Sequence, residues 1–302
     1  MNFLTIFTAP KPFTDPQINI IQRNAIQSWL HIGDDVEVLL MGDEEGMAEV
    51  AVEYGVRHFP GVACNQSGVP LISAMFDLTR KVSDSHMMAV VNADILLLPD
   101  FFATARRVME MTDEFMLAGR RWDLNVTAPL DFSEGWSERL RQDAFSRGEL
   151  HELSGSDYFI FPRKVYRTIP NFTIGRAGWD NWMIYHAVKQ PWPAINASSS
   201  IMIVHQNHDY AHLPGGSAHY KMEETFENLE MAGGYKNMYT LIEVDHLLVD
   251  GHIRPAGFSL LRLIRWFELK LIPESRSPSG FRWGLTRRLR RLRRRLSSRW
   301  QE

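Results

Sequence analysis

The chain has a single cysteine, Cys64, among 302 residues. One cysteine excludes an intrachain disulfide and a thiolate-rich zinc site, and it is typical of a reducing compartment. No apolar run reaches the length of a membrane span. A secretory signal has a basic segment followed by an apolar run. The opening residues, MNFLTIFTAPKPF, have no such basic segment, and their apolar run is too short. These absences predict a cytoplasmic location.

Positive charge is scarce in most of the chain and concentrated at its end. Residues 276–302 hold ten arginines and one glutamate, which leaves 23 basic and 35 acidic residues in the first 275. With 45% hydrophobic residues, a chain of this length can bury a large core. We therefore expect a globular body over 1–250, with halves at 1–100 and 101–250, and a separate tail over 251–302.

Short β-prone runs alternate with helical apolar spacing in the first half of the chain. Strands are predicted over 3–9, 35–43, 56–59, 87–91, 115–122, 157–162 and 200–205, and helices over 17–30, 44–55, 69–82, 179–188 and 256–272. The alternation predicts an α/β fold with a mostly parallel sheet flanked by helices. Ligands of such sheets bind at the carboxyl ends of the strands.

The stretch MMAVVNADILLLPD places Asp94 where a strongly apolar strand ends. A buried, unpaired carboxylate costs several kcal/mol, so a positive group is expected near Asp94. Asp94 either caps the following turn or binds a divalent cation, Mn²⁺ or Mg²⁺, that bridges a diphosphate.

The order of these elements, with Asn92-Ala93-Asp94 after the fourth strand, resembles the GT-A glycosyltransferases of the nucleotide-diphospho-sugar transferase superfamily over roughly residues 1–210. In that family an Asp-x-Asp motif holds the metal and the donor diphosphate; here its first position is Asn. The resemblance implies that Asp94 binds the metal and that Asn92 contacts ribose. It implies a donor site formed by Thr8, Ala9, Pro10, Arg23, Asp43, Asn92 and Asp94. A solvated helix face is the other interpretation of Arg23.

The stretch GRAGWDNWMIYHA places Asp180 near the start of a helix. A carboxylate there is a suitable N-cap, which alone would account for it. The resemblance implies a second role, because inverting GT-A enzymes have a carboxylate at this junction that takes the proton of the acceptor hydroxyl.

The stretch IVHQNHDYAH ends a strand with His205, and His208, Asp209 and His212 follow in a polar loop. Several ligand types thus lie in one short segment. The resemblance implies that His205 joins Asp94 on the metal. The alternative is a buried, hydrogen-bonded histidine followed by two exposed ones.

Two further stretches resemble the acceptor side of the family. They contain Arg120, Arg121 and Trp122 in GRRWD, and Asp157 in SGSDYFIF. The arginines suit phosphate or acceptor contacts, and Trp122 is either a stacking platform for a sugar or a core residue.

The tail sequence LTRRLRRLRRRL puts its four leucines on one helical stripe, with Trp283 and Trp300 on either side. This pattern is typical of an interfacial helix that binds anionic lipid. Nucleic acid also attracts arginine, but the leucine stripe favours lipid. We therefore expect residues 282–300 to contact the inner face of a membrane and expect no nucleic acid.

Together these features predict a metal-dependent, inverting glycosyltransferase that uses a nucleotide-sugar donor and a lipid-linked or polysaccharide acceptor in the synthesis of cell-surface glycans. One rival is a nucleotidyltransferase, which needs a glycine-rich phosphate loop with a basic residue; TAPKPF contains no glycine. The other rival is a nucleic-acid-binding protein that acts through the tail.

Overall fold

The computed structural model describes residues 2–208, 222–274 and 279–299. Its strands are β1 Leu4–Thr8, β2 Val36–Met41, β3 Arg57–Phe59, β4 Met87–Val91, β5 Ile95–Leu97, β6 Met116–Ala118, β7 Trp122–Leu124, β8 Glu149–Leu150, β9 Tyr158–Pro162, β10 Ala194–Asn196, β11 Ile203–Gln206, β12 His246–Val249 and β13 His252–Pro255. Its α-helices are α1 Pro16–Leu30, α2 Met47–Tyr54, α3 Ile72–Val82, α4 Pro99–Met111, α5 Trp136–Arg147, α6 Trp179–Val188, α7 Glu223–Met231, α8 Leu260–Leu271 and α9 Gly280–Arg299.

A main sheet has the strand order β13-β12-β10-β6-β9-β4-β1-β2-β3. Its pairs are parallel except where β9 meets β4 and β6 and where β13 meets β12. The central strands β1 and β4 are short, strongly apolar and fully buried, as expected when both faces of a parallel sheet are covered, whereas the edge strands β3 and β13 are largely polar. The predicted fold class, a mostly parallel sheet flanked by helices with a C-terminal helical extension, is confirmed.

Alternate residues of the strands pack into two hydrophobic cores, one on each face of the main sheet. The first core joins the sheet to α1, α2 and α4, and centres on Trp29 and Phe101. The second joins it to α3 and α6, and includes Phe76 and Trp182. The helices therefore hold the strand ends, and the loops that follow them, in fixed positions.

A small sheet with the order β5-β11-β7-β8 lies beyond the end of β4. β11 pairs with β5 antiparallel, with His205 opposite Ile95, and with β7 parallel, with His205 opposite Asp123. The single strand predicted over 115–122 is in fact two strands, β6 and β7, in different sheets. Gly119 allows the crossing, because a Cβ there would lie 2.5 Å from the hydroxyl of Tyr158.

The C-terminal helices α8 and α9 pack on each other through charged side chains. The fully buried carboxylate of Glu268 accepts hydrogen bonds from Arg265 at 3.0 Å, Arg290 at 2.8 Å and Arg293 at 3.1 Å. Two arginines of the predicted lipid-binding segment are therefore bound within the protein, and Trp300 lies outside the described residues. The proposed boundary at 250 falls in the turn between β12 and β13. Among the described residues, no helix is both long and apolar enough to cross a membrane.

Candidate active site

Asp94 lies in the turn between β4 and β5, at the carboxyl edge of the main sheet. Its Oδ2 atom is 3.1 Å from Nε2 of His208 and 3.8 Å from Nε2 of His205. Its Oδ1 atom is buried and has no hydrogen-bond partner among the described residues. A buried carboxylate oxygen without a partner is costly, so this atom indicates the place of a cation.

Positive groups surround Asp94, as the sequence predicts. Burial alone would raise the pKa of Asp94, but the hydrogen bond from His208 and the charges of His205 and Lys11 outweigh burial and hold this pKa well below its usual range. Burial lowers the pKa of Lys11, and the charge of Asp94 opposes that effect. Asp94 is therefore a carboxylate at any physiological pH.

The orientation of His205 is fixed from behind. Its Nδ1 atom is 3.0 Å from Oδ1 of Asp123, so Nε2 is left to face Asp94. The other carboxylate oxygen of Asp123 is 2.7 Å from Nδ1 of His151. Burial lowers the pKa of His205, but the contacts with Asp123 and Asp94 raise it by more. A carboxylate behind an imidazole is the usual way to orient a metal-binding histidine.

A chain of hydrogen bonds connects this pair to Asn92. Arg121 donates to Asp123 and to Asp157, each at 2.8 Å, and the amide of Asn92 donates to Asp157 at 2.9 Å. The side chain of Asn92 is therefore bound to Asp157. Of the two polar residues of the Asn92-Ala93-Asp94 motif, Asp94 is the one that is grouped with potential metal ligands. Asp157 and Arg121, expected on the acceptor side, support the walls of the same site.

Asp94, His205 and His208 fit a divalent cation. One ligand atom from each of the three lies within 4.8 Å of the others. With one carboxylate oxygen already unpaired, a cation there would find one oxygen and two nitrogen donors, while other coordination positions stay open. His208 is the nearer imidazole to Asp94, whereas the sequence favours His205. Asp209 and His212 lie outside the described residues.

Asp180 lies in the first turn of α6, half-buried. The cap of this helix is Gly178, with φ of 113°, and the Gly178 amide donates to Oδ1 of Asp180 at 3.3 Å. The predicted N-cap role for Asp180 is therefore wrong: the cap is Gly178, and Asp180 is the second residue of the helix. The backbone conformation at the cap position favours glycine. Burial, with a smaller contribution from the charge of Asp157, raises the pKa of Asp180 to about 6. A carboxylate with such a pKa is suited to accept a proton near neutral pH.

Asn228 of α7 holds the loop that leads to Asp180. Its buried side chain accepts from the Thr173 amide at 2.9 Å and donates to the Thr173 carbonyl at 3.0 Å. A side-chain amide that satisfies both backbone groups of one residue fixes the loop as a strand partner would.

The loop after β1 is fixed in a similar way. The buried amide of Gln22 accepts from the Lys11 backbone N–H at 2.6 Å and donates to the Lys11 carbonyl at 2.9 Å. Thr8, the last residue of β1, and Pro10 are buried, and Ala9 between them is half-buried. Lys11 thus stands on a rigid loop within electrostatic range of Asp94.

Other residues expected at the site have different partners. Arg23 forms an ion pair with Glu53 at 2.6 Å on the face of α1 next to α2. Asp43 is exposed after β2. The guanidinium of Arg120 donates to the backbone carbonyl of His151 at 2.7 Å.

Trp122 is half-buried at the edge of a small hydrophobic core and packs edge-on against the ring of Phe145. These contacts are those of a residue at the rim of the core, and the role of Trp122 as a stacking platform for a sugar stays a prediction.

The structure adds three residues that the sequence does not single out for the site, Lys11, Asp123 and His151, and it brings His208, one of several potential ligands in its segment, beside Asp94. Lys11 could have been found as the basic residue directly after the first strand. Asp123 could have been found by strand alternation, since it follows Arg121 by two residues and an extended chain places both on the same side. Nothing in the sequence near His151 indicates its contact.

No known family profile matches the sequence, and no curated protein matches it. Solved structures with a similar fold include glucosyl-3-phosphoglycerate synthase from Mycobacterium tuberculosis in complex with Mn²⁺, UDP and phosphoglyceric acid, at 14% identity over 77% of this chain and 79% of that one, with a TM-score of 0.46. They also include S. aureus TarS 1–349 in complex with UDP-GlcNAc, at 11% identity over 77% of this chain and 65% of that one, with a TM-score of 0.46. In a second TarS structure the matched region is 37% of that chain. Likeness at these identities concerns the fold alone.

Proposed function

We propose that this chain is a divalent-metal-dependent glycosyltransferase that moves a sugar from a nucleoside diphosphate donor to a hydroxyl of a glycan or lipid-linked acceptor. The observation that supports it most is the unpaired, buried Oδ1 of Asp94 beside two imidazoles and Lys11. Such a site, at the carboxyl edge of a mostly parallel sheet, suits a cation and the phosphates that it binds.

The proposed metal is Mn²⁺ rather than Mg²⁺. Mg²⁺ prefers oxygen ligands, whereas His205 and His208 offer nitrogen, which manganese accepts more readily. When bound, the ion would stabilise the negative charge that develops on the departing diphosphate. Lys11 adds a positive charge on the same side, and the loop Thr8-Ala9-Pro10 would form the floor under the nucleoside.

Asp180 is the proposed general base. In its ionised form it accepts the proton of the acceptor hydroxyl, and the hydroxyl oxygen bonds to the anomeric carbon while the bond from that carbon to phosphate breaks. The electron pair of the broken bond leaves with the nucleoside diphosphate. Attack from the face opposite the diphosphate inverts the anomeric centre. The raised pKa of Asp180 suits this step.

The acceptor would enter along the side formed by Arg121, Asp157 and the half-buried Trp122. The proposed division assigns residues 1–100 to the donor and 101–250 to the acceptor. The proposed acceptor is lipid-linked or a polysaccharide and serves the synthesis of cell-surface glycans. The basic C-terminal segment supports this proposal, because it would hold the enzyme at the inner face of the membrane where such an acceptor lies.

The test is a panel of nucleotide sugars screened by thermal shift with Mn²⁺, with Mg²⁺ and with EDTA. We expect one donor class to raise the unfolding temperature in Mn²⁺, less in Mg²⁺ and hardly at all in EDTA. No shift from any donor in any metal state would contradict the proposal. Asp94→Asn should abolish the shift, and Asp113→Asn, which removes an exposed carboxylate outside the site, serves as the matched control.

Lys11 favours a second candidate, because a basic residue after the first strand also suits a nucleotidyltransferase. The two reactions leave different products. A glycosyltransferase releases the nucleoside diphosphate, whereas a nucleotidyltransferase joins a nucleoside triphosphate to a sugar phosphate and releases pyrophosphate. Assaying both products with the corresponding substrates separates them.

A further inference from the structure

Exposed apolar side chains are concentrated in the C-terminal helices. Among the described residues, the large hydrophobic side chains with high exposure in this region are Phe258, Leu260, Leu263, Trp266, Phe267, Phe281 and Leu292. Only four others stand elsewhere in the described part of the chain, on four separate elements or loops: Val52, Met111, Phe145 and Met231. The C-terminal group is therefore a contiguous feature in sequence and not part of a general scatter.

Helix α8 is turned with charge inward and apolar side chains outward. Its buried side chains include Arg265 and Glu268, whereas Trp266 and Phe267 are 54% and 46% exposed. A surface helix of a globular protein normally does the reverse. The inward charges are fully satisfied, with Arg265 bound to Glu268 at 3.0 Å and to Glu243 at 2.8 Å. The outward apolar face is thus a stable feature of the fold that the protein core does not cover.

We infer that this α8 apolar face, formed by Phe258, Leu260, Leu263, Trp266 and Phe267, inserts into the interfacial layer of an anionic membrane. The inference rests on the proposed function, in which the acceptor lies at the inner face of a membrane. It assigns the contact with that membrane to two helices: the apolar side chains of α8 insert into the lipid, and the arginines of α9 bind its negative charge. Trp and Phe suit the boundary between headgroups and acyl chains. Lys270 lies over the ring of Trp266 at 5.7 Å, so a cation already stands at the rim of the face.

Charge selects lipid over a second copy of the chain. Helix α9 exposes six arginines, namely Arg282, Arg287, Arg288, Arg291, Arg294 and Arg295. Two copies joined through α8 would bring two such helices toward each other, and like charges repel. An anionic leaflet instead attracts all of them. Arg290 and Arg293 are instead paired with the buried Glu268.

Sedimentation of the full chain with vesicles tests this inference. The vesicles contain phosphatidylcholine alone or phosphatidylcholine with about a quarter phosphatidylglycerol. The test variant is Leu263→Gln with Trp266→Gln and Phe267→Gln. The matched control is Val52→Gln with Phe145→Gln, which removes exposed apolar side chains outside the C-terminal helices. We expect the wild type and the control to bind the anionic vesicles, and the test variant to bind about tenfold or more weakly.

A variant of the exposed arginines, Arg288→Gln with Arg291→Gln and Arg295→Gln, should weaken binding most at low salt. An unchanged unfolding temperature shows that each variant folds. The inference is overturned if the test variant binds the vesicles as strongly as the wild type does. It is also overturned if sedimentation analysis shows that the wild type and the control are dimers and that the test variant alone is a monomer. Capture of an RNA oligonucleotide with no vesicle binding overturns it too. The Mn²⁺-dependent thermal shift by donor reports on the proposed reaction separately, so the two can fail independently.

Discussion

Asp123 holds Nδ1 of His205 at 3.0 Å, and this contact turns Nε2 of His205 toward Asp94. Asp123 itself is fixed by Arg121 and His151. Asp123 is thus a positioning residue for the candidate metal site. It selects the tautomer and the orientation of the His205 imidazole but is not itself one of the three candidate ligands.

Replacing Asp123 with Asn should therefore weaken Mn²⁺ binding by about 10- to 100-fold, as removal of such a support typically does. Titration of the free Mn²⁺ signal by electron paramagnetic resonance measures the affinity directly, without turnover. His151→Gln, which changes the neighbour on the other oxygen of Asp123, is the control and should have the smaller effect. Equal affinity of the Asp123 variant and the wild type would show that His205 does not need this partner.

The three candidate ligands should differ in importance. Asp94→Asn removes the only negative charge among them and should eliminate measurable Mn²⁺ binding, whereas His208→Gln and His205→Gln should each weaken it by about tenfold or more. The same titration ranks them. If Asp94→Asn keeps the wild-type affinity, the ion binds elsewhere and the site assignment is wrong.

Activity should depend on the protonation of Asp180. With a pKa of about 6, this base is protonated below that pH and ionised above it, so kcat/KM should rise with pH and level off above about pH 7. Asp180→Asn should lower kcat by about 10²- to 10⁴-fold while the donor still raises the unfolding temperature. A flat profile from pH 5 to 8, or loss of donor binding in the variant, would argue against a role as base.

The same carboxylate should cost stability when ionised. The pKa of Asp180 in the folded protein, about 6, lies above the usual value of 3.8 for an aspartate, so the folded state holds the proton more tightly and stability falls as pH rises between those values. Asp180→Asn removes this cost and should raise the free energy of unfolding by about 1–3 kcal/mol at pH 8, with the gain vanishing below about pH 4. Chemical denaturation of both proteins at the two pH values measures it. A gain of the same size at both would contradict the pKa argument.

Glu268 should be essential for the packing of α9. Its carboxylate faces Arg265, Arg290 and Arg293. Glu268→Gln would remove the ion-pair partner of the buried Arg293 and of the half-buried Arg290, whereas Arg265 would keep its pair with Glu243. We expect a loss of about 3–5 kcal/mol in the free energy of unfolding, as when one partner of a buried ion pair is removed. Glu274→Gln, which breaks only the exposed pair with Lys236, should have no measurable effect and is the matched control.

The sequence shows half of this site more clearly than the other half. An apolar strand that ends in Asp94 predicts both the carboxylate and the need for positive groups near it, because burial of an unpaired charge is costly. The partnership of Asp123 with His205 depends on the parallel pairing of β7 with β11, strands about 80 residues apart, which no local pattern reveals. Local alternation likewise identifies β1 to β4.

The tail shows a similar limit. The leucine spacing of α9 predicts a helix, and the helix is present. Which side faces inward is decided by Glu268 on another helix, so Thr286 and Arg293 are buried while Leu292 is exposed. Periodicity identifies the faces of a helix, but tertiary ion pairs choose between them.

β11 lies between β5 and β7, and its residue His205 stands opposite both Ile95, the neighbour of Asp94, and Asp123. Local opening that separates these three strands would also separate the imidazole of His205 from the carboxylates of Asp94 and Asp123. Release of a bound ion and opening of the small sheet would therefore be one event, and a loaded site would slow amide hydrogen exchange in β11 before it did so in the distant strands β2 and β3.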